Sequence, residues 1–210
     1  MNLTNTQRVV KLTTNLLSNP GLIPSYLKHN VFNKKMPIDW NLPWWSYKAI
    51  QYVDTIVKGK RIFEYGTGGS TMRFATEARE IVAVEDDNKW MDMVNEKLKE
   101  KNIHNARIIY SFFDFKNPEG FENSEYIRMI DTVGGDFDII IIDGQDRSFQ
   151  ERIKCFRHVE QRMKPGQYII VDDFWRYEIL KKENRAKEVK VFESVGPCRF
   201  GVTSTAVFVY

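Results

Sequence analysis

The stretch from Arg61 to Asp87, RIFEYGTGGSTMRFATEAREIVAVEDD, constrains the fold more than any other part of the chain. It predicts a short apolar strand (Arg61–Tyr65), a glycine turn (Gly66, Gly68, Gly69), and a helix opened by Ser70 and Thr71. A second apolar strand (Ile81–Val84) follows and ends in Glu85. This is one β-α-β unit, and parallel strands joined by a helix belong to an α/β sheet. Glycines let backbone N–H groups approach a ligand closely, and the helix N-terminus offers partial positive charge. A carboxylate at the end of the second strand can accept two hydrogen bonds from a ribose diol.

Two residues bear on which nucleotide such a unit would hold. In the dinucleotide fingerprint G-x-G-x-x-G the third glycine allows close packing beside a pyrophosphate. Counting from Gly66, Thr71 stands there. Glu64 precedes the first glycine by two residues, where its charge would repel a pyrophosphate but suit an ammonium or sulfonium group. With an acidic residue, any residue, Gly, any residue, Gly, the chain resembles the class I S-adenosylmethionine (SAM)-dependent methyltransferases. The resemblance covers about residues 43–210.

The rest of the sequence supports an alternating pattern. Helices are expected over about 48–59, 69–78, 88–101 and 148–163, with a short polar helix at 177–187. Strands are expected at 61–65, 81–85, 106–111, 137–142 and 167–171. The run of four isoleucines in 137–142 predicts a strand buried on both faces, as at the centre of a parallel sheet. The stretch 115–136, with Pro118, Gly120 and Gly134-Gly135, reads as a polar connection. The C-terminus reads as two strands joined by a Gly/Pro-rich turn. The expected fold is therefore a doubly wound, mostly parallel seven-stranded sheet of the Rossmann-like methyltransferase type, ending in an antiparallel hairpin. Residues 1–42, broken by Asn19-Pro20-Gly21, Pro24 and Pro37, are read as a helical cap on a domain spanning 43–210.

In open α/β sheets ligands sit at the carboxyl ends of the strands, and acids fall at several of those ends: Glu64, Glu85, Asp143, Asp172 and Asp173. The resemblance implies that Gly66, Gly68, Gly69 and Ser70 surround the methionine part of SAM, with Glu64 facing its charged end. It implies that Glu85 and Asp86 lie at the ribose, that Phe113 and Asp114 touch adenine, and that Asp143 borders the cofactor. Trp90 is weighed between shielding adenine and packing in the core. The pair IIIIDGQDR and IIVDDFWR also resembles the catechol-type O-methyltransferases. There, acids matching Asp143 and Asp172-Asp173 hold Mg²⁺, and hard oxygen ligands suit that ion. Two departures stand out. Asp173 replaces an Asn, and Asp146 stands where the family has a lysine base. Asp143 or Asp146 is therefore the alternative, metal-free base, with Arg147 orienting an acidic group on the acceptor. His29 is a further candidate base, whereas His104 and His158 have no metal spacing.

Composition limits the partners. Across 210 residues the net charge is only +3, so no overall nucleic-acid footprint is expected. Residues 1–60 carry eight Lys and Arg against two Asp, a net +6, which leaves −3 for the remainder. This basic cap is read either as a solvated face or as an attractant for acidic substrates. Trp40, Trp44, Trp45 and Tyr47 form either a substrate wall or a pin holding the cap. Two distant cysteines, Cys155 and Cys198, do not demand an oxidising compartment. No leader or membrane span is evident, so a cytoplasmic location is the expectation, and a homo-oligomer is compatible with the sequence. The expected activity is methyl transfer from SAM to a hydroxyl of a small sugar-like or phenolic acceptor. A nicotinamide-dependent oxidoreductase, an aminopropyl transferase and a non-catalytic binding module are the rivals.

Overall fold

The computed structural model describes residues 4–32 and 35–210. Among them, seven strands form one sheet: β1 (Arg61–Tyr65), β2 (Glu80–Glu85), β3 (Ala106–Tyr110), β4 (Ile139–Ile142), β5 (Tyr168–Val171), β6 (Glu188–Val195) and β7 (Val202–Val209). The spatial order is β3-β2-β1-β4-β5-β7-β6. The first five strands are parallel, and β7 runs antiparallel between β5 and β6. This is the doubly wound sheet with a C-terminal hairpin that the alternation predicts.

The helices are α1 (Asn5–Ser18), α2 (Ile23–Leu27), α3 (Tyr47–Asp54), α4 (Gly69–Phe74), α5 (Asn88–Glu100), α6 (Glu125–Val133) and α7 (Glu151–Glu160). Their apolar sides cover both faces of the sheet. Ile140 and Ile142 pack with Phe63 and Tyr65 against α6 and α7. Ile139 and Ile141 point the other way, into a cluster with Ile62, Phe74 and α3 residues Ile50 and Val53. Each fully buried isoleucine stabilises the fold by about 2 kcal/mol relative to exposure. Leu12 of α1 joins the second cluster, and Asn15 Oδ1 accepts the Val195 N–H at 3.1 Å, so the N-terminal helix is bound to the β6 edge.

Local chemistry shifts several boundaries. The helix after β1 stops at Phe74 rather than 78, and the following carbonyl of Glu77 accepts the Gly59 N–H at 2.9 Å. α7 begins at Glu151 rather than 148, because Asp146 and Glu151 take the Phe149 and Ser148 N–H groups and Phe149 adopts a left-handed φ of 62°. The expected short helix at 177–187 is instead a pair of 3₁₀ turns, Phe174–Arg176 and Glu178–Lys181. The stretch 115–136 contains α6. Tyr126, Ile127, Ile130 and Val133 recur at helical spacing there, and the Ser124 side chain caps the helix through the Ile127 N–H. No helix among the described residues is long and apolar enough to cross a membrane.

From β1 the chain moves outward through β2 to β3, then returns through α6 to β4 on the other side of β1. Connections therefore leave β1 and β4 in opposite directions, which opens a crevice at their carboxyl ends. Gly66 floors it at φ +88°, where an added Cβ would lie 2.9 Å from the Gly144 backbone. At Gly69 an added Cβ would lie 1.8 Å from the Leu42 carbonyl oxygen, so the segment before α3 sits directly on the glycine turn. Gly69→Ala is therefore expected to destabilise the protein by about 1–3 kcal/mol through overpacking against backbone, read as a lower Tm. Gly21→Ala, where nothing lies within 4 Å, is expected to leave Tm nearly unchanged.

Candidate active site

A cavity of about 670 Å³ lies over the carboxyl ends of β1, β2, β4 and β5. Its size falls in the range of small-molecule sites. One half is built from the glycine turn and the end of β2. Thr71 organises the turn: its hydroxyl accepts the Gly68 N–H at 3.1 Å and donates to Glu64 Oε2 at 2.7 Å. Ser70 Oγ–H donates to the other oxygen of Glu64. Thr71, in the position that denies the dinucleotide fingerprint its third glycine, thus has a structural task of its own.

Glu85 follows β2. Its Oε1 accepts the Asp86 and Asp87 N–H groups at 3.0 and 3.1 Å. Asp87 caps α5 by accepting the Lys89 and Trp90 N–H groups. That cap brings Trp90 back over the turn, where its indole N–H donates to the Thr67 carbonyl at 2.7 Å. Its ring lies 3.5 Å from the place a Cβ on Gly68 would occupy. Burial pushes the Glu85 carboxyl up to about 7 and raises that of Asp86. Among the described residues lining this half there is no Lys or Arg. Such a surface suits a ligand with vicinal hydroxyls and positive charge.

The other half gathers Asp143, Asp172 and Asp173 with Arg152 and Arg199. Arg152 is largely buried and bound on all three of its nitrogens. Its guanidinium donates to the Gly144, Asp143 and Asp172 carbonyls at 2.9–3.0 Å and pairs with Asp143 Oδ1 at 3.1 Å. Asp143 Oδ2 accepts the Trp45 indole N–H at 2.8 Å. Asp172 is 3% exposed and accepts the Thr205 hydroxyl at 2.6 Å. Burial, reinforced by Asp143 and Asp173, pushes its carboxyl well above the carboxylate range. Asp173, at a left-handed φ of 51°, lies 3.2 Å from Arg199 and 3.6 Å from Arg176, and is held below that range, Arg199 and Arg152 outweighing its burial.

The cavity therefore collects Gly66, Gly68, Gly69, Ser70, Glu85, Asp86, Asp143, Asp172 and Asp173. The remaining expected site residues lie elsewhere. Glu64 is 1% exposed beneath the turn and does not line the cavity, because both its oxygens are taken by the Ser70 and Thr71 hydroxyls. Phe113, Asp114 and Arg147 line an adjoining cavity of about 480 Å³ that shares Asp86, Asp87 and Gln145 with the first. Asp146 lines neither cavity; its oxygens accept the Phe149 and Arg152 N–H groups where α7 begins. His29 lies in a third, neighbouring cavity.

A divalent metal does not fit the strand-end acids. Asp143 is bound by an indole and a guanidinium, Asp172 by a hydroxyl, and Asp173 by two guanidinium groups. The adjacent fixed cations would repel a metal ion. No group of three His, Cys, Asp or Glu side chains among the described residues has a metal-holding arrangement.

The aromatic cluster divides. Trp45 is wholly buried against Phe74 and ties the segment before α3 to Asp143, whereas Trp44 is half exposed and lines the cavity. Arg152 and Arg199 were not singled out from sequence. A signal existed for Arg152: a cation in the first turn of a helix opposes the macrodipole and needs another reason to be there.

No protein-family profile matches the chain, and no curated protein matches it in sequence. Solved structures match its fold. A Streptococcus mutans protein described as a candidate methyltransferase, in complex with SAH, aligns with a TM-score of 0.56 at 12% identity, over 84% of this chain and 99% of that one. An rRNA methylase from Streptococcus thermophilus gives 0.55 at 11%, over 83% and 97%. A precorrin-6y C5,15-methyltransferase from Geobacter metallireducens gives 0.52 at 16%, over 78% and 87%. The chain has the Rossmann-like methyltransferase fold, and two of these proteins are, by their names, methylases of unlike acceptors, an rRNA and a precorrin.

Burial pushes the Glu64 carboxyl to about 8, against an ordinary 4.5. The folded protein thus keeps a proton that the unfolded chain releases, and stability falls as pH rises through that window. Glu64→Gln is expected to reduce the loss of Tm between about pH 5 and pH 8. An unchanged slope would show that this carboxyl is ionised in the folded protein.

Proposed function

We propose that this protein binds SAM along the glycine turn and Glu85 and directs its methyl group to a hydroxyl oxygen of a small acceptor seated against Asp172. The observation that carries the reading is the single cavity joining the glycine turn and an acid-lined half to a second half where Asp143 and Asp173 meet arginines and Asp172 lies buried beside them. The fold likeness to methyltransferases supports the same class. SAM supplies an electrophilic methyl on a sulfonium, which leaves as a neutral thioether when the acceptor oxygen takes the methyl carbon.

The chain's own residues do the rest. The Glu85 oxygens accept the ribose hydroxyl protons. Glu85, Asp86 and Asp87 set a negative field that favours the cofactor's positive end and disfavours a pyrophosphate, while the protonated Glu64 beneath the turn holds its shape. That field, together with Thr71, speaks against a nicotinamide dinucleotide. On the acceptor side the ionised form of Asp172 takes the hydroxyl proton, so kcat is expected to rise with pH as this burial-raised carboxyl loses its own proton. Asp143 is committed to Trp45 and Arg152, and Asp146 to α7, so the base assignment moves from those two to Asp172. Arg152 is a positioning residue that fixes the carbonyls at the ends of β4 and β5. Met36, Pro37 and Trp44 wall the cavity from the N-terminal side, which favours a small acceptor over a polymer. Rate enhancement then comes mainly from holding the acceptor oxygen in line with the methyl group.

Titration calorimetry with S-adenosylhomocysteine (SAH) tests the cofactor. We expect micromolar binding, at least tenfold weaker in Glu85→Ala and absent for NADH; each tenfold is about 1.4 kcal/mol. Because ribose hydroxyls favour the ionised carboxyl, SAH affinity is expected to rise as pH passes through about 7. Failure to bind SAH, or a preference for NADH, would remove this reading. Asp172→Asn is expected to lower kcat by about 10²–10⁴ with SAH affinity retained.

A further inference from the structure

Beside the acceptor half lies a cavity of about 420 Å³ whose polar lining is cationic or neutral. Lys35 and Arg199 supply fixed positive charge, and Tyr26, His29 and Asn30 supply neutral polar groups. Among the described residues no carboxylate lines it. It is continuous with the reaction cavity, since Met36, Cys198 and Arg199 line both. We propose that this annex holds an anionic group, a carboxylate or a phosphate, of the same acceptor whose hydroxyl reaches Asp172. The proposal rests on the methyltransferase reading above and narrows its substrate to a hydroxylated small acid.

Arg199 is built to face both cavities. Its backbone N–H donates to Asn30 Oδ1 at 2.7 Å, and Asn30 is itself fixed by donating to the Tyr26 and Gly196 carbonyls. Its guanidinium donates to the Trp44 carbonyl at 2.7 Å and to Asp173 at 3.2 Å. A guanidinium has five N–H donors, so three remain for a ligand, in a fork that matches carboxylate and phosphate oxygens. Lys35 lies over the Trp40 ring at 5.3 Å, which holds its ammonium at the annex rim. Asp39 lies within the field of Lys35, but its carboxylate is bound by Lys97 at 2.6 Å.

The charges of the whole acceptor side agree. Arg152, Arg176 and Arg199 face Asp143 and Asp173, while Asp172, buried without a cationic partner on its carboxyl, accepts only the Thr205 hydroxyl. Adding Lys35 leaves this end of the site positive, opposite in sign to the Glu85 end. An anionic acceptor would be drawn to one end and excluded from the other, which fixes its orientation. His29 completes the wall. The Tyr47 hydroxyl donates to the Ser25 carbonyl at 3.2 Å, so His29 Nδ1, 2.8 Å from that oxygen, is the donor between them. The neutral ring then keeps Nε2 as an acceptor, suited to a hydroxyl or an acidic proton of the ligand.

The test uses the full chain saturated with SAH and calorimetric titration of paired probes: phenyl phosphate and 4-hydroxybenzoate against phenol, and glucose 6-phosphate against glucose. We expect at least one anionic member to bind tenfold or more tightly than its neutral partner, with the phosphate and carboxylate arms telling the two anions apart. Lys35→Glu should abolish that preference and Lys35→Arg should keep it, with SAH affinity unchanged in both. Equal binding of charged and neutral partners, no binding by any anionic probe, or a preference that survives Lys35→Glu would overturn the proposal. Loss of SAH binding to the native chain, with the Lys35-dependent preference intact, would instead remove the methyltransferase reading and leave the anion site standing.

Discussion

The buried Arg152 guanidinium is the interaction on which the rest of the site depends. Moving such a charge out of water is costly unless its donors are matched. Here they are matched by the carbonyls of Asp143, Gly144 and Asp172 and by the Asp143 carboxylate. One side chain of α7 thus fixes the chain where it leaves β4 and where it leaves β5. Asp143 carries the constraint onward to Trp45, and Trp45 brings the N-terminal segment down onto the glycine turn. The two halves of the cavity are held at a set distance by this relay. Removing Arg152 alone would leave the half-buried Asp143 with only an indole partner and three strand-end carbonyls without their donor.

The second organising feature is the sorting of charge along one cavity. The β2 end carries acids without bases, and the β5 end carries acids already answered by arginines. Carboxyls at strand ends look alike in a sequence, yet they do different work. Glu64 supports a turn, Glu85 presents an oxygen to the cavity, Asp143 anchors a tryptophan, and Asp172 stays buried against a threonine.

The contrast shows what could be read in advance. Strand alternation, the isoleucine run of β4 and the glycine turn are local patterns, and each mapped onto the sheet to within a few residues. The set of strand-end acids was equally legible, because the ends of parallel strands meet at one edge by topology. Their partners were not. Asp143 lies 98 residues from Trp45, Asp172 lies 33 from Thr205, and Asp173 lies 26 from Arg199. No periodicity relates such pairs. The catechol-type metal reading meets the same limit: the acids are in place, but Trp45, Thr205 and Arg199, far off in sequence, engage them together with the nearer Arg152 and Arg176. α6 was missed for a different cause, since its helical spacing was outweighed by the Gly and Pro residues flanking it.

Asp173 sits at a left-handed φ of 51°, a conformation glycine adopts without penalty. A residue with a Cβ there gives up of order 1 kcal/mol of stability. The chain keeps the carboxylate nonetheless, because glycine could not receive Arg199 and Arg176. This turn therefore gives up a relaxed backbone to hold two cations in place. Backbone comfort and site charge thus pull this one residue in opposite directions: a glycine would relax the turn but release both guanidinium groups.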